Sequence, residues 1–420
     1  MKKNKFMVLG MSAIALALIL AFAGCVTVPG ERDTPSAAEA AAQLAADFNA
    51  LKTGLATVNG ATVTLTESIQ IVWWDGDGGV GGSVVLDMDG NNLGVPRGTW
   101  FRGEEFTLIV PAGVTLDLTG VTIYNGGIDT LTVNGTVNAR TGFFGDDRTM
   151  TINGNGTINL IGMGHLFYVG RDEWRGHTLT LDGVTLVGVA DNNVSLVRVS
   201  EGGELVLLSG AITGNSVEGN RGGGVRVNDG GTFTMQGGTI SGNSVSNSDH
   251  ECDGGGIFVD TRAIFTMTGG EISGNSTSHG GGGVGVMGTF TMSGGTISGN
   301  TAYSEEEGSG GGVYLLGGTF IMEGGVISGN NAMFGGGVCI GGTFTMEGGT
   351  IYGSDAAEGL ANTAGVEELA ALAANLGQSP TIKWGTGGEY TKGGVPQIGG
   401  SDIEDMMSAE TLIAIPASAP

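Results

Sequence analysis

The chain has 420 residues, of which 84 are glycine and 8 are proline; 40% are hydrophobic and 14% are charged. So much glycine with so little proline excludes collagen and polyproline, and the regular supply of apolar residues excludes a disordered linker. The formal net charge of −25 argues against a nucleic-acid partner and against adsorption to anionic membranes, because both need clustered lysine and arginine.

The first residues predict a targeting segment. Lys2, Lys3 and Lys5 precede an apolar run over 7–23, which ends in "AFAGC". A basic start, an apolar stretch and small residues before a cleavage site are typical of a secretory signal. The cysteine after Ala23-Gly24 resembles a bacterial lipobox. This resemblance implies that residues 1–24 are removed and that Cys25 is lipidated as the mature N-terminus. A plain secretory signal and an uncleaved anchor helix are the alternatives.

The next segments predict a tether over 25–35 and a capping helix over 36–59. Ser36 is a candidate N-cap for the alanine-rich run "SAAEAAAQLAADFNALKTG". An amphipathic helix here would cover the open end of the core that follows. We predict a repeat domain over 60–354, followed by a C-terminal cap and tail over 355–420.

Aromatic and basic residues in two early loops are candidates for ligand binding. They lie in "RGTWFRGEEF" and "GRDEWRGH", where tryptophan stands beside arginine and carboxylates. Such loops are plausible binding surfaces for a sugar or a protein, although the rings could also pack within the fold. The candidate residues are Trp100, Trp174, Arg171 and Arg175.

A repeated pattern dominates the middle of the chain. "GGGVYLLGGTFIMEGGVISGN" (310–330) recurs with variations at 222–243, 254–275, 281–300 and 335–354. Taking the last residue of "TFTM" as a marker, weaker copies extend upstream, and the marker positions are Leu118, Val133, Ile152, Leu181, Leu207, Met235, Met267, Met292, Met322 and Met346. The insertions fall in one turn per repeat, at 216–221, 244–253, 276–280, 301–309 and 331–334. Length variation confined to one turn is typical of a solenoid.

Each repeat contains three short segments in which apolar and polar residues alternate, separated by glycine pairs that suit tight bends. We therefore predict an all-β fold, a parallel β-helix of about ten coils with three strands per coil and a short N-terminal capping helix. Phenylalanine and methionine form inward columns, and threonine forms two outward columns beside the marker. An amide ladder at one bend is predicted from Asn243, Asn275, Asn300 and Asn330.

The repeats resemble the right-handed parallel β-helix of the pectin-lyase-like superfamily. More closely, "GGGV" and "ISGN" are similar to the repeats of polymorphic outer-membrane proteins, a family of bacterial surface adhesins, with glycine for alanine and isoleucine for phenylalanine. The resemblance implies surface display. Those relatives end in a membrane-spanning barrel, whereas the tail here reads "AAEGLANTAGVEELAALAANLG" and then a short strand-like piece. A lipid on Cys25 would replace the barrel as the anchor.

The search for catalytic motifs assigns no catalytic residue and no cofactor. "GVGVMG" matches a dinucleotide pattern only by accident of the repeat, since a strand follows where a helix is needed. His250, Cys252 and His279 could hold a soft divalent metal, but their spacing matches no metal motif, and we predict no metal site. Calcium at "DGDGG" (75–79) or "DMDGNN" (87–92) is left open. Cys252 and Cys339 are predicted to lie too far apart for a disulfide.

The sequence therefore favours a non-catalytic, lipid-anchored protein of the bacterial cell envelope, at the outer membrane or cell surface. Its expected partners are the membrane, through the lipid, and a host protein or glycan, through the variable loops; we expect a monomer. A polysaccharide lyase or glycoside hydrolase on the same fold, and a purely structural envelope protein, are the alternatives. An enzyme should bring three or more outward charged residues together in a groove.

Overall fold

The computed structural model describes residues 36–51, 53–74, 82–87, 92–94, 106–118, 123–125, 128–140, 143–145, 149–170, 177–246, 253–303, 308–352, 357–364, 381–384, 388–390, 397–398, 401–402 and 412–414. Within these residues the protein is an all-β parallel solenoid with one short helix at its N-terminal end, as the sequence predicts.

Four stacked sheets form the solenoid. The first sheet contains Ala56–Asn59, Thr62–Leu65, Phe106–Val110, Ile128–Val133, Met150–Asn153, His177–Asp182, Gly203–Leu207, Thr232–Met235, Ile264–Met267, Thr289–Met292, Thr319–Met322, Thr343–Met346, Thr381–Trp384 and Leu412–Ala414. The second contains Ile69–Trp74, Gly82–Asp87, Asn92–Gly94, Thr115–Leu118, Thr136–Ala139, Thr157–Leu160, Thr185–Val187, Ala211–Thr213, Thr239–Ser241, Glu271–Ser273, Thr296–Ser298, Val326–Ser328, Gly349–Ile351 and Gly388–Tyr390. Strands of successive repeats pair in parallel in both sheets, apart from antiparallel pairs near the N-terminal end.

The other two sheets are shorter. The third sheet contains Ile123–Asn125, Phe143–Gly145, Phe167–Val169, Val197–Val199, Val225–Val227, Ile257–Val259, Val284–Val286, Val313–Leu315, Val338–Ile340, Gln397–Ile398 and Ser401–Asp402. The fourth contains Ser216–Glu218, Ser244–Ser246, Ser276–Thr277, Thr301–Ala302, Asn331–Ala332 and Thr363–Ala364. This fourth sheet lies in the segments predicted to be variable loops, so three strands per coil is too few for this part of the chain.

The regular part of the solenoid has about seven turns, fewer than the ten predicted. These turns run from Phe167 to Ile351, and in each the chain passes through the third, the first and the second sheet. Two of the predicted markers were wrong. Leu118 lies in the second sheet, and Val133 lies two residues beyond Leu131, which is the residue that pairs in register with Ile152. Without the "TFTM" and "GGG" residues, alternation alone did not separate one sheet from the next.

A column of aromatic rings and a column of thioethers fill the core behind the first sheet. Phe233, Phe265, Phe290, Phe320 and Phe344 stack with ring centroids 4.6–5.2 Å apart. Each ring is 0% exposed, as are the methionines two residues further on. The ring spacing is close to the 4.7–4.9 Å between paired strands, so in-register pairing is sufficient to produce the stack.

Threonines occupy one outward column of the first sheet in strict register. The column runs through Thr130, Thr151 and Thr180 and, after Val206, continues through Thr234, Thr266 and Thr291. Thr132, predicted to belong to a threonine column, instead pairs with Asn153. Threonine suits an exposed strand position because its branched side chain packs well on the pleat and adds no charge to the stack.

The asparagines stack at the corner between the second and fourth sheets. In each step the backbone N–H and the side-chain amide of one asparagine donate to the Oδ1 of the next; for Asn275 and Asn300 both contacts are 3.0 Å. Each amide also donates to an isoleucine carbonyl of the preceding turn, as Asn300 does to Ile272 at 2.8 Å. The ladder extends beyond the predicted set to Asn215 and Asn362.

The N-terminal helix spans Ala37–Leu51 and closes one end of the core. Ser36 and Glu39 form a reciprocal capping box, with the Ser36 N–H donating to the Glu39 carboxylate at 2.9 Å. The helix buries Leu44 and Phe48 in the same apolar cluster as the stacked rings. It is shorter than predicted, since Ala56–Asn59 within the same segment is already a strand of the first sheet. At the other end, strands beyond residue 355 continue all four sheets, so the sheets extend into the predicted tail.

Candidate functional site

Most of the predicted site residues lie outside the described residues. These are the lipidation candidate Cys25, the binding candidates Trp100, Arg171, Trp174 and Arg175, and the metal candidates His250 and Cys252. His279 is described, and it contacts a carboxylate, Asp253. Among the described residues no group of three or more His, Cys, Asp or Glu side chains could hold a metal ion.

The outward face of the third sheet differs from the other outward faces. The middle residue of each three-residue strand points away from the core, and paired strands bring these residues into one column. We call this column the third-sheet strip; its members are Tyr168, Arg198, Arg226, Phe258, Gly285, Tyr314 and Cys339. In place of repeated threonine or serine it carries two cations, three aromatic side chains, one glycine and one thiol.

The variable segments cover most of the strip. Single bridges connect Asp253 to Gly280, Gly280 to Ser309, and Ser309 to Phe334, each in parallel register. Because of this cover, Phe258 is 0% exposed and Tyr314 is 3% exposed, although both point outward. Four described residues of the segments predicted to carry specificity therefore form an ordered layer over the third sheet; they are Arg221, Asp253, His279 and Ser309.

A compensated charge cluster lies at the centre of this layer. Asp253 is fully buried; its Oδ1 accepts a hydrogen bond from His279 Nδ1 at 2.7 Å, and its Oδ2 lies 3.3 Å from Arg221 Nε. The contact to Arg221 is an ion pair without hydrogen-bond alignment. The Arg221 guanidinium also lies over the Phe258 ring, 4.9 Å from its centroid. The cost of burying the Asp253 carboxylate is offset by the opposite charge of Arg221 and by the hydrogen bond from His279.

Two glycines make room for this cluster. A Cβ added to Gly285 would lie 3.0 Å from the Phe258 ring and 3.1 Å from the Asp253 Cβ. A Cβ on Gly280 would lie 2.1 Å from the Tyr314 ring. The missing side chain of Gly285 in the strip is therefore what allows Asp253 to lie against the sheet.

The C-terminal end of the strip is apolar and closed. Tyr314, Phe334 and Cys339 pack together, separate from the main core. Burial raises the pKa of the Cys339 thiol to about 12, with hydrogen bonds from Ser309 and the Ile340 backbone opposing the shift. A thiol held neutral in this way is a poor nucleophile and a poor metal ligand.

The part of the strip between Tyr168 and Phe258 is less buried and carries positive charge. Arg198 and Arg226 pair in register, and both are half-buried. Arg226 donates to Asn220 Oδ1 at 2.6 Å and lies 3.3 Å from Asp260 Oδ2. Sequence reasoning missed this pair and Arg221. A signal was present, because "VRV" occurs at both 197–199 and 225–227, placing an arginine at the outward position of two consecutive repeats.

His165 lies next to this charged part of the strip. Its Nδ1 is 2.6 Å from the Ser195 carbonyl oxygen, and its ring makes an edge contact with Tyr168 at 4.5 Å. Burial lowers the pKa of His165 to about 4; the hydrogen bond to Ser195 opposes this shift, while the charges of Arg198 and Arg226 add to it. The imidazole is therefore neutral at neutral pH, and its Nδ1–H donates to Ser195.

Comparison with protein-family models, curated proteins and solved structures finds no match for this chain. Within the described residues, no helix has both the length and the apolar character needed to cross a membrane.

Proposed function

We propose that the protein is a non-catalytic, lipid-anchored binding protein of the bacterial cell envelope, displayed at the surface as an adhesin. The observation that carries this proposal is the layer that the variable segments build over the third sheet. The outward columns of the first and second sheets carry mostly threonine, serine and asparagine, whereas this side gathers charged and aromatic residues from segments of unequal length. Binding residues concentrate on such segments when a rigid scaffold positions them.

Tyr303, in the variable segment 301–309 beside the fourth sheet, is the aromatic side chain best placed to contact a partner. It follows the fourth-sheet strand Thr301–Ala302, its backbone N–H donates to Thr277 O at 2.7 Å, and its side chain is 70% exposed. A large exposed ring on an anchored backbone is the kind of residue that dominates protein interfaces. The lipid on Cys25, the outer-membrane or surface location and the kinship to surface adhesins rest on the sequence patterns alone.

Two experiments test the display and binding parts of the proposal. Mass analysis of the mature N-terminus should find a lipid on Cys25, and protease treatment of intact cells should remove the protein. Purified full-length protein should bind a member of a panel of extracellular-matrix proteins and glycans, and Tyr303→Ala should reduce that binding at least tenfold. Ile264→Ala is the matched control, because Ile264 is 47% exposed in the first sheet, away from the layer.

An unmodified Cys25, protection from protease or equal effects of the two variants would contradict the corresponding part of the proposal. Absence of any partner, with lipid and surface exposure present, would favour a purely structural envelope protein.

A carbohydrate-active enzyme is the second candidate, because one observation favours it. Arg221, Arg226, Asp253 and Asp260 converge on the third sheet, and the Asp253–His279 hydrogen bond orients an imidazole as a general base requires. Incubation with neutral and acidic polysaccharides, followed by an assay for new chain ends, separates the candidates. Depolymerisation that is lost in both Asp253→Asn and His279→Ala would establish the enzyme.

A further inference from the structure

Two arginines lie side by side in the third-sheet strip, next to Tyr168. Arg198 and Arg226 are directly paired residues of neighbouring strands, whose backbones are about 4.8 Å apart. Like charges at paired positions destabilise a sheet. The chain has 17 basic residues against 42 acidic ones, so its composition does not favour such a pair.

The rest of the described chain compensates this charge only in part. Arg226 has Asp260 and Asn220 as partners, whereas Arg198 makes no hydrogen bond or ion pair with any residue that the structure describes. The Nε atoms of both arginines are buried and donate to no described acceptor. Buried donors without acceptors are rare in native proteins, and a bound ion is one of the few explanations for them.

Two polar residues near the arginines, His165 and Asn228, do not neutralise the positive charge of the guanidinium groups. His165, within electrostatic reach of both guanidinium groups, is neutral at neutral pH and does not offset them. Asn228, two residues beyond Arg226, has a buried side-chain oxygen without a donor among the described residues. A ligand that carries both acceptor oxygens and a hydroxyl group would satisfy all three side chains.

We propose that Arg198 and Arg226 bind a tetrahedral oxyanion, a phosphate or sulfate group. The inference rests on the proposed function, in that it assigns a ligand group to the same side of the solenoid. A guanidinium fork suits phosphate and carboxylate equally, but a planar carboxylate can be satisfied by one fork. A tetrahedral anion has further oxygens for a second cation on the neighbouring strand, which is the arrangement found here.

Calorimetry with the full-length protein tests this site, with inorganic phosphate, glucose 6-phosphate, acetate and glucose as probes at constant ionic strength. We expect both phosphates to bind, acetate to bind at least tenfold more weakly, and glucose not to bind. Arg198→Gln should weaken phosphate binding at least tenfold. Arg262→Gln is the control for net charge, since the Arg262 side chain is 78% exposed and paired with Asp229, and it should leave the affinity unchanged.

The two phosphates distinguish the source of the group: tighter binding of glucose 6-phosphate identifies an anion carried on a larger ligand, and tighter binding of inorganic phosphate identifies the free ion. The proposal fails if neither phosphate binds or if acetate binds as tightly as phosphate. It also fails if Arg198→Gln weakens phosphate binding no more than the control Arg262→Gln does.

A second measurement does not depend on the variants. Phosphate should shift the ring resonances of His165 in the wild-type protein and leave those of His177, in the first sheet, unchanged. Unshifted His165 signals at saturating phosphate would place any binding elsewhere and overturn the proposal. Failure of phosphate binding while Tyr303-dependent capture persists would overturn only this inference and would leave the proposed function standing.

Discussion

The first and third sheets follow the same stacking rule and reach opposite results on their outer faces. In both, parallel pairing brings equivalent residues of successive turns about 4.8 Å apart. In the first sheet that rule repeats threonine, a side chain that tolerates its own copy as neighbour. In the third it brings arginine against arginine and phenylalanine against glycine. The threonines of a regular column pack against one another, whereas the charged and aromatic side chains of an irregular column need contacts with residues outside the sheet.

We expect the largest loss of stability from a substitution in the core of the regular region. Phe290→Ala removes a fully buried ring that stacks on Phe265 and Phe320 at 4.6 Å. We expect a loss of about 4 kcal/mol in the free energy of unfolding, since Phe→Ala in a core costs about 3–5 kcal/mol. Denaturant unfolding measures it, with the outward neighbour Thr291→Ala as control. A similar loss in both variants would show that the stacked rings are not the main source of stability.

A somewhat smaller loss is expected at the corner ladder. Asn300→Ala removes the acceptor for the Asn275 backbone and amide N–H groups and the donor to the Ile272 carbonyl. Each buried group left without a partner costs about 1–3 kcal/mol, so we expect a total of about 3 kcal/mol. Hydrogen exchange should become faster at the backbone amide of Asn275 in particular, because that N–H loses its acceptor. Uniform acceleration along the chain would contradict a local role for the ladder.

Acid should weaken the region next to the third-sheet strip through His165. Its folded pKa of about 4 lies below its ordinary value of 6.5, so between these values the unfolded chain binds the proton and stability falls as pH falls. From pH 7 to about pH 4.5 the expected loss from this residue is about 2–3 kcal/mol, and above about pH 6.5 it is absent. His165→Gln should flatten the acid limb by that amount; identical limbs in variant and wild type would contradict the assignment.

The smallest expected effect concerns the outer face of the first sheet. Glu204 interrupts a threonine position between Thr178 and Thr232, and the Thr178 hydroxyl donates to its carboxylate at 3.1 Å. Replacing Glu204 by Thr exchanges one cross-strand pair for another, and we expect a change below about 0.5 kcal/mol. Thermal unfolding measures this change. A loss several times larger would show that this face also depends on specific charge partners.

The sequence was sufficient to predict the structural features that repeat from turn to turn, and insufficient to predict those that do not. The core residues Val313, Phe320, Met322 and Ile327 and the ladder residue Asn330 follow from a motif that recurs with the same residue types. Where the motif is weak, the alternation of apolar and polar residues predicts a strand but does not indicate which sheet the strand joins. Leu118 and Val133 were assigned to the wrong positions for that reason.

The third-sheet strip was harder to predict because its contacts cross between turns. Asp253 and His279 belong to segments of different length, and only the bridge between Asp253 and Gly280 brings them together. No spacing rule in the sequence encodes that contact. The arginine pair was within reach, since comparing "VRV" at 197–199 with 225–227 places both side chains at one outward position.

The asparagine ladder also has a consequence for how such a chain can change length. Each asparagine contacts only the turns directly before and after its own, and each donates and accepts through the same atoms. A gene duplication that copies one whole repeat, for example 281–309, would therefore insert one more turn. Its asparagine would form the same hydrogen bonds as the asparagines of the neighbouring turns. The molecule would grow by one strand spacing, about 4.8 Å, without a new interface to evolve. The length of the solenoid is then a quantity that selection can adjust in steps of one turn.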